Sequence, residues 1–245
     1  MKKILLTCDT SKKYSYDLAP KLHGWLMEHM NSEMAEYFHI SQVNPYSLRV
    51  LPKKNMVLLD ISILDESVEK VFDEILLDNS LEKIVLGNNS EITLKITNRE
   101  VTVLSTKQLA DIFYVNEPRR EMQINFLTAT GFKVKGEQVY LPDILLIFQN
   151  LMLRYATIFE GSNKIDKELL QEIANKTKIV SFSIQSSYYP IHGRYIPGFI
   201  GKIKIRCNGS KTLISYLNML LCFAEYSGIG IKTSMGMGAV NILLK

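Results

Sequence analysis

The segment that most constrains this chain is rich in glycine and lies close to its last strand-forming residues. It reads Gly228-Ile229-Gly230-Ile231-Lys232-Thr233-Ser234-Met235-Gly236-Met237-Gly238. Glycine adopts positive φ readily and lets another backbone, or a phosphate, approach closely. Amide groups in such a loop can converge on an anion, and Lys232 adds a positive charge. The spacing matches neither a P-loop nor a dinucleotide-binding pattern. It predicts a phosphate-binding loop or, alternatively, a tight turn whose glycines are required by packing.

Bulk composition sets wide limits on the remaining possibilities. The chain has 245 residues, of which 47% are hydrophobic and 22% charged, so it can form one large globular domain or two small ones. A net charge of +4 permits a polyanionic partner without requiring one. Three cysteines with no Cys-x-x-Cys pair argue against a disulfide framework or a cysteine zinc site, and favour the cytoplasm. No apolar stretch approaches the roughly 18 residues that a membrane span needs.

Hydrophobic periodicity predicts an alternation of strands and helices along the whole chain. The predicted strands are Ile4–Cys8, Met56–Leu64, Ile84–Leu86, Ile92–Ile96, Val101–Leu104, Met122–Thr128, Val134–Leu141, Ile179–Ile184, Phe199–Ile205 and Val240–Leu244. The predicted helices are Pro20–Met30, Glu33–Phe38, Val68–Leu77, Thr106–Tyr114, Pro142–Phe159, Ile165–Ala174 and Leu213–Tyr226. We expect Met122–Thr128 and Val134–Leu141 to pair as a hairpin, with a turn near Gly131.

A polar patch around Asn116–Glu121 interrupts this pattern and is typical of a linker. It divides the chain into predicted domains at 1–117 and 121–245, each with strands and at least two helices. That element order favours an α+β fold of two tandem ferredoxin-like (RRM-like, βαββαβ) domains. The halves share no clear sequence repeat, and a single larger α+β domain is the alternative.

Histidine is the side chain best suited to proton transfer near neutral pH, and the chain has four. His39 lies in a predicted loop before Pro45, where a rigid scaffold often presents catalytic groups. His23 lies on the first predicted helix and is a packing residue or a second proton-transfer group. His29 is expected at the surface, and His192 is a turn residue or a contact of a bound ligand. The carboxylates are scattered without metal-ligand spacing, so no metal and no cofactor are predicted.

The glycine-rich segment has the pattern Gly-hydrophobic-Gly, five residues including a basic one, then Gly-hydrophobic-Gly. This pattern resembles the C-terminal signature of the RAMP superfamily. The segments that extend the likeness along the chain are Leu22–Met27, Tyr37–Ser47 and Tyr195–Gly201. Together they resemble the CRISPR repeat-processing endoribonucleases of that superfamily, above all the forms that serve type III-A systems.

The resemblance implies metal-independent cleavage of CRISPR precursor RNA within its repeats, by attack of a 2′-hydroxyl that leaves a 2′,3′-cyclic phosphate and a 5′-hydroxyl. It also implies that His39 is catalytic, as general base or acid. Some family members carry a lysine where this chain has Asn44, so Tyr46, Lys53 and Lys54 are candidates to replace it. Our catalytic candidates are therefore His39, His23 and Tyr46.

RNA binding requires phosphate contacts, which basic side chains and loop amides can supply. The candidates are Gly228, Gly230, Lys232, Gly236, Gly238, Lys133, Lys135, Arg194 and Lys202. An alternative for Lys202 is that it simply shares the solvent face of a strand with Lys204 and Arg206. The expected partners are the precursor RNA and a type III effector complex. A non-catalytic RNA-binding subunit of such a complex is the second interpretation, and an unrelated enzyme acting on a small phosphorylated molecule is the third.

Overall fold

The computed structural model describes residues 1–10, 18–41, 43–87 and 92–245, without the side chain of His39. Within these ranges the backbone contacts divide the chain into two units. The first unit comprises Met1–Val103, Pro190–Arg194 and Ser234–Gly236. The second comprises Leu104–Tyr189, Tyr195–Thr233 and Met237–Lys245.

The first unit is an antiparallel sheet with helices packed on it. Its elements are β1 (Lys2–Asp9), α1 (Leu18–His29), α2 (Ser32–Ile40), β2 (Tyr46–Lys53), β3 (Met56–Ile63), α3 (Glu69–Leu76), β4 (Lys83–Leu86) and β5 (Ile92–Val103). The strands are ordered β2-β3-β1-β5-β4, and neighbouring strands are antiparallel. Without the edge strand β4, this is the order of a βαββαβ ferredoxin-like unit.

The core of this unit follows from alternation along its central strands. Ile4, Leu6 and Cys8 of β1 are buried, whereas the residues between them are only partly so. They belong to the same buried cluster as Leu22 and Leu26, which lie one turn apart on α1. Buried residues recur at every second position along the strands and at every third or fourth position along α1. The face of α1 that carries Leu22 and Leu26 therefore packs in the core, and the opposite face is turned toward solvent.

The second unit repeats the ferredoxin-like order. Its elements are α4 (Thr106–Tyr114), β6 (Glu121–Thr130), β7 (Phe132–Val134), β8 (Glu137–Val139), α5 (Ile144–Phe159), α6 (Lys167–Lys176), β9 (Thr177–Ile191), β10 (Arg194–Cys207), α7 (Lys211–Ser227) and β11 (Val240–Leu244). The strands of its main sheet are ordered β11-β6-β10-β9. The prediction of an α+β fold with two tandem ferredoxin-like domains is thereby confirmed.

Two predictions about the strands were wrong. The segment that contains Val134 does not pair with β6; instead β7 and β8 pair with each other as a small separate hairpin. The two strands expected on either side of residues 97–100 form one strand, β5. This polar stretch stays extended because it pairs with β1, and because Arg99 Nε donates to the carbonyl of Leu76 at the end of α3, 3.1 Å away.

Strand β2 was not predicted, although Tyr46, Leu48 and Val50 alternate as buried residues along it. Helix α4, which lies before the predicted limit at 117, packs on α7 of the second unit. No helix in the described parts of the chain has the length and apolar character needed to cross a membrane.

Candidate functional site

Tyr46, the first residue of β2, forms a hydrogen bond with a histidine of α1 in the first unit. Its hydroxyl lies 2.5 Å from Nδ1 of His23 on α1, and the two rings are nearly parallel, with an interplanar angle of 18°. His23 is partly exposed, whereas Tyr46 is 0% exposed. The structure thus brings two of the residues selected from the sequence together as a hydrogen-bonded pair.

Burial of Tyr46 decides what its hydroxyl can do. Desolvation raises the pKa of the hydroxyl well above its ordinary value, so it keeps its proton at neutral pH. The ring also packs against Phe38 and Phe72, with centroid distances of 5.3 and 5.0 Å. A hydroxyl held in the core in this way orients His23 and is not positioned to contact a bound substrate. The burial of Tyr46 favours a positioning role over direct contact with a substrate.

His39 is the penultimate residue of α2, so the prediction that it lies in a loop was wrong. The helix begins at the Asn31 cap, whose side chain accepts from the Met34 amide. It extends past Phe38 because that residue is buried, and it ends where the Ser41 amide donates to the Tyr37 carbonyl. The side chain of His39 lies outside the described part of the structure. Its neighbour Phe38 contacts Tyr46, which places the end of α2 beside the same tyrosine that binds His23.

Lys53 and Lys54 are candidates to replace the lysine that some family members carry at the position of Asn44, and both lie away from Tyr46. Lys53 is the last residue of β2, so it lies roughly 23 Å along the strand from Tyr46, and Lys54 follows in the turn. Asn44 Nδ2 donates to Ser234 Oγ at 3.0 Å, and both residues belong to the first unit. Asn44 therefore contacts the glycine-rich segment, and neither lysine is near the His23–Tyr46 pair.

The glycine-rich segment uses its own amides for folding. Gly228 N–H donates to the Ala224 carbonyl, Gly230 N–H to Oδ1 of Asn150, and Gly238 N–H to the Ala129 carbonyl, over 2.8 to 3.0 Å. These three amides are already satisfied by the protein. The structure thus favours the tight-turn interpretation over a cradle in which these glycine amides bind phosphate.

Close approach explains why the segment needs glycine. A Cβ on Gly230 would stand 2.3 Å from the Gly131 carbonyl oxygen, and one on Gly238 would stand 2.0 Å from the Ile229 carbonyl oxygen. Both glycines have positive φ, of 91° and 71°. Side chains at either position would clash with backbone that has no room to move.

Comparisons with known proteins agree with this architecture. The sequence model of the CRISPR-associated endoribonuclease Cas6 family matches residues 124–240. A CRISPR-associated endoribonuclease Cas6 from Streptococcus thermophilus is 35% identical over 243 residues, which are 99% of this chain and 98% of that protein. The chain belongs to the Cas6 family. A Cas6 from Mycobacterium tuberculosis is 34% identical over 226 residues, 92% of this chain and 71% of that one.

Solved Cas6 structures share the fold at lower sequence identity. A Cas6 product complex has a TM-score of 0.80 at 21% identity, covering 99% of both chains. Cas6 from Thermus thermophilus has a TM-score of 0.73 at 22% identity, covering 99% of this chain and 98% of that one. These two likenesses show that the chain shares the fold of these Cas6 proteins over 99% of its length.

The basic candidates of this Cas6 family member lie on three segments of the chain. Lys133 and Lys135 are exposed on the β7–β8 hairpin, and Arg194 is exposed at the start of β10. Lys202 is exposed further along β10, and Lys232 is the exposed residue of the glycine-rich segment. Ile231, which precedes Lys232, donates to the Gly131 carbonyl at 3.0 Å, so the glycine-rich segment and the start of the β7–β8 hairpin are adjacent in the second unit.

Strand β10 carries three basic residues at alternate positions, as expected for a strand with one face exposed to solvent. Lys202, Lys204 and Arg206 are exposed and alternate with buried Ile203 and Ile205. Arg206 also lies 3.7 Å from Glu121 on the neighbouring strand β6. Exposure of this face to water is sufficient to explain why basic and apolar residues alternate. The same face is also accessible to a polyanion.

Sequence reasoning missed two residues of α5. Asn150 accepts the hydrogen bond from Gly230, and Arg154 is a buried arginine one turn further along the helix. Neither has a sequence signal, because a polar residue in an apolar helix does not reveal which partner it faces. Among the described residues, no group of three or more histidine, cysteine, aspartate or glutamate side chains is arranged to hold a metal ion.

Proposed function

We propose that this chain is an endoribonuclease that binds CRISPR precursor RNA and cuts it in the repeats. The observation that carries the proposal is the 35% identity over 99% of the chain to a Cas6 named as a CRISPR-associated endoribonuclease. The product complex of a structural neighbour is consistent with it. The reaction we propose is attack of the 2′-hydroxyl on the adjacent phosphorus, giving a 2′,3′-cyclic phosphate and a 5′-hydroxyl without a metal ion.

This reaction needs a base for the 2′-hydroxyl, an acid for the leaving oxygen, and positive charge or donors at the phosphate. We assign His39 as general base or acid and His23 as the second proton-transfer group. Two contacts support the pairing: His23 bonds to Tyr46, and Phe38, which precedes His39, packs on the same ring. Tyr46 is then a positioning residue, because its buried hydroxyl fixes the orientation of the His23 ring.

The test is incubation of the purified protein with RNA of the repeat sequence in the presence of excess EDTA. We expect cleavage at one site, a 2′,3′-cyclic phosphate on the upstream product, and no cleavage when the scissile nucleotide lacks its 2′-hydroxyl. Cleavage that needs an added divalent metal, or that proceeds without the 2′-hydroxyl, would contradict the mechanism. Binding of repeat RNA with no cleavage under any condition would instead support the non-catalytic RNA-binding subunit.

We extend the proposal to the cellular setting. A type III effector complex in the cytoplasm is the proposed recipient of the product RNA. The free cysteines support a reducing compartment, since Cys8 and Cys207 are buried as thiols. Co-purification of effector subunits with a tagged chain, dependent on intact repeat RNA, is the expected result. Absence of those subunits after crosslinking would count against a stable association.

A further inference from the structure

Arg154 in α5 is a buried cation that forms no ion pair with the described residues. It is 6% exposed, and its Nε and Nη2 atoms have no hydrogen-bond partner among the described residues. Burial lowers the pKa of its guanidinium to about 10, so it still carries its charge at neutral pH. A buried arginine is ordinarily paired with a carboxylate, because desolvating an unpaired charge is costly. None of the ion pairs found in the described residues involves Arg154.

The position of Arg154 on its helix relates it to the glycine-rich segment. Asn150 lies four residues earlier, on the same face of α5, and its Oδ1 accepts the Gly230 amide at 2.8 Å. Side chains on a helix lean toward its N-terminus, so Arg154 covers the turn that contains Asn150. The unpartnered guanidinium therefore lies on the helix face that binds the glycine-rich segment. Lys232, two residues after Gly230, is the exposed cation of that segment.

We propose that Arg154 binds a phosphate group of the bound RNA beside the glycine-rich segment. The proposal rests on the proposed function, since RNA supplies the anion. A planar guanidinium donates two parallel hydrogen bonds to phosphate oxygens, which would satisfy the two unpartnered groups. The glycine-rich segment then has a specific part in binding: it shapes the site through Asn150 and Gly230, while Arg154 supplies the charge. A carboxylate from a protein partner is the competing anion, and the test separates the two.

The experiment compares Arg154→Met with Lys211→Met, which also removes one positive charge but at an exposed position of the second unit paired with Glu117. The probe is repeat RNA with a 2′-deoxy nucleotide at the scissile position, so that binding is measured without cleavage. We expect Arg154→Met to weaken binding by about 10-fold, as for loss of a charged hydrogen bond. The slope of log K against log salt should fall by about one. Lys211→Met should match the parent protein in both measurements.

A second signature separates ligand binding from a structural role. Without RNA, Arg154→Met should have a melting temperature equal to or above that of the parent, because it removes an uncompensated buried charge. Unchanged RNA affinity and salt slope in Arg154→Met would overturn the proposal and leave a protein carboxylate as the counter-ion. If Arg154→Met does not fold, Arg154→Lys keeps the charge but loses the planar fork. It should then keep the salt slope and bind several-fold more weakly, and parental affinity in that variant would overturn the proposal.

The failure of this inference is distinguishable from failure of the proposed function. A parent protein that neither binds nor cuts repeat RNA overturns both. A parent that binds and cuts the RNA, together with Arg154→Met that binds it equally well, overturns only the assignment of Arg154.

Discussion

The His23–Tyr46 pair and the glycine-rich segment differ in what their polar groups do. In the glycine-rich segment the amides of Gly228, Gly230 and Gly238 are bonded within the protein, and a Cβ would not fit at two of these positions. At the His23–Tyr46 pair a buried hydroxyl holds a partly exposed imidazole. The glycine-rich segment is therefore held by contacts of its backbone, whereas the His23–Tyr46 pair presents a titratable side chain.

A pattern in the sequence can therefore reflect either close packing of the backbone or the presence of reactive side chains. The glycine pattern is a strong mark of the family because many close backbone contacts depend on it. Proton transfer needs groups such as His23 and His39, which occur as single residues and carry little pattern of their own. We therefore expect substitutions in the glycine-rich segment to act first on folding, and substitutions of the histidines to act first on the cleavage rate.

The largest effect should come from His39→Ala. Loss of a general base or acid typically lowers a rate by about 10²- to 10⁴-fold, and we expect the single-turnover cleavage rate to fall within that range. The matched control is His29→Ala, because His29 is exposed on α1 and stacks on Trp25 at 3.9 Å. RNA affinity and melting temperature should be unchanged in His39→Ala. Full cleavage activity in that variant would remove His39 from the mechanism.

Next in size is Gly238→Ala, which should lower the free energy of unfolding by about 2 to 4 kcal/mol, because it combines positive φ with a backbone clash. Gly24→Ala is the matched control, since nothing lies within 4 Å of a Cβ at that position in α1. There alanine should raise stability by about 0.5 to 1 kcal/mol. Urea denaturation of both variants measures the difference. Parental stability in Gly238→Ala would mean that the turn relaxes without cost.

Elements that depend on interactions between residues close in the sequence were predicted better than elements that depend on contacts between distant residues. Elements with a strong local period, such as α1, α7 and β11, were predicted close to their observed bounds. Strand β5 was divided in two because its polar centre resembles a turn, whereas pairing with β1 and the Arg99 contact to α3 keep it extended. Such non-local pairing overrides local propensity.

The same limit applies to the candidate site. His23 and Tyr46 were selected individually, but they are 23 positions apart, and only the packing of α1 against β2 brings them together. The burial of Tyr46 is not visible in the residues around it, so the sequence alone does not distinguish a positioning role from a direct one. Arg154 was missed for a related reason, since nothing in the apolar sequence of α5 shows that its Nε and Nη2 atoms find no hydrogen-bond partner among the described residues.

A smaller effect should follow Tyr46→Phe, which removes the hydroxyl that orients His23 but keeps the buried ring. Loss of one hydrogen bond should lower the free energy of unfolding by about 1 kcal/mol and cleavage by about 5- to 10-fold. The informative readout is the pH–rate profile, which should change shape because the His23 ring loses its hydrogen bond to Tyr46. Tyr37→Phe on α2 is the control, since Tyr37 is largely exposed. An unchanged profile in Tyr46→Phe would limit Tyr46 to packing.

The smallest effect should come from Lys202→Met on the solvated face of β10. Lys202 is exposed, so its charge is screened, and loss of one phosphate contact should weaken RNA binding only a few-fold while reducing the salt slope by about one. Arg206→Met is the internal comparison, because Arg206 already faces Glu121 at 3.7 Å and should contribute less. Equal and parental salt slopes for both variants would mean that this row is a solvated strand face. RNA binding would then depend on the rest of the molecule, including the buried charge of Arg154.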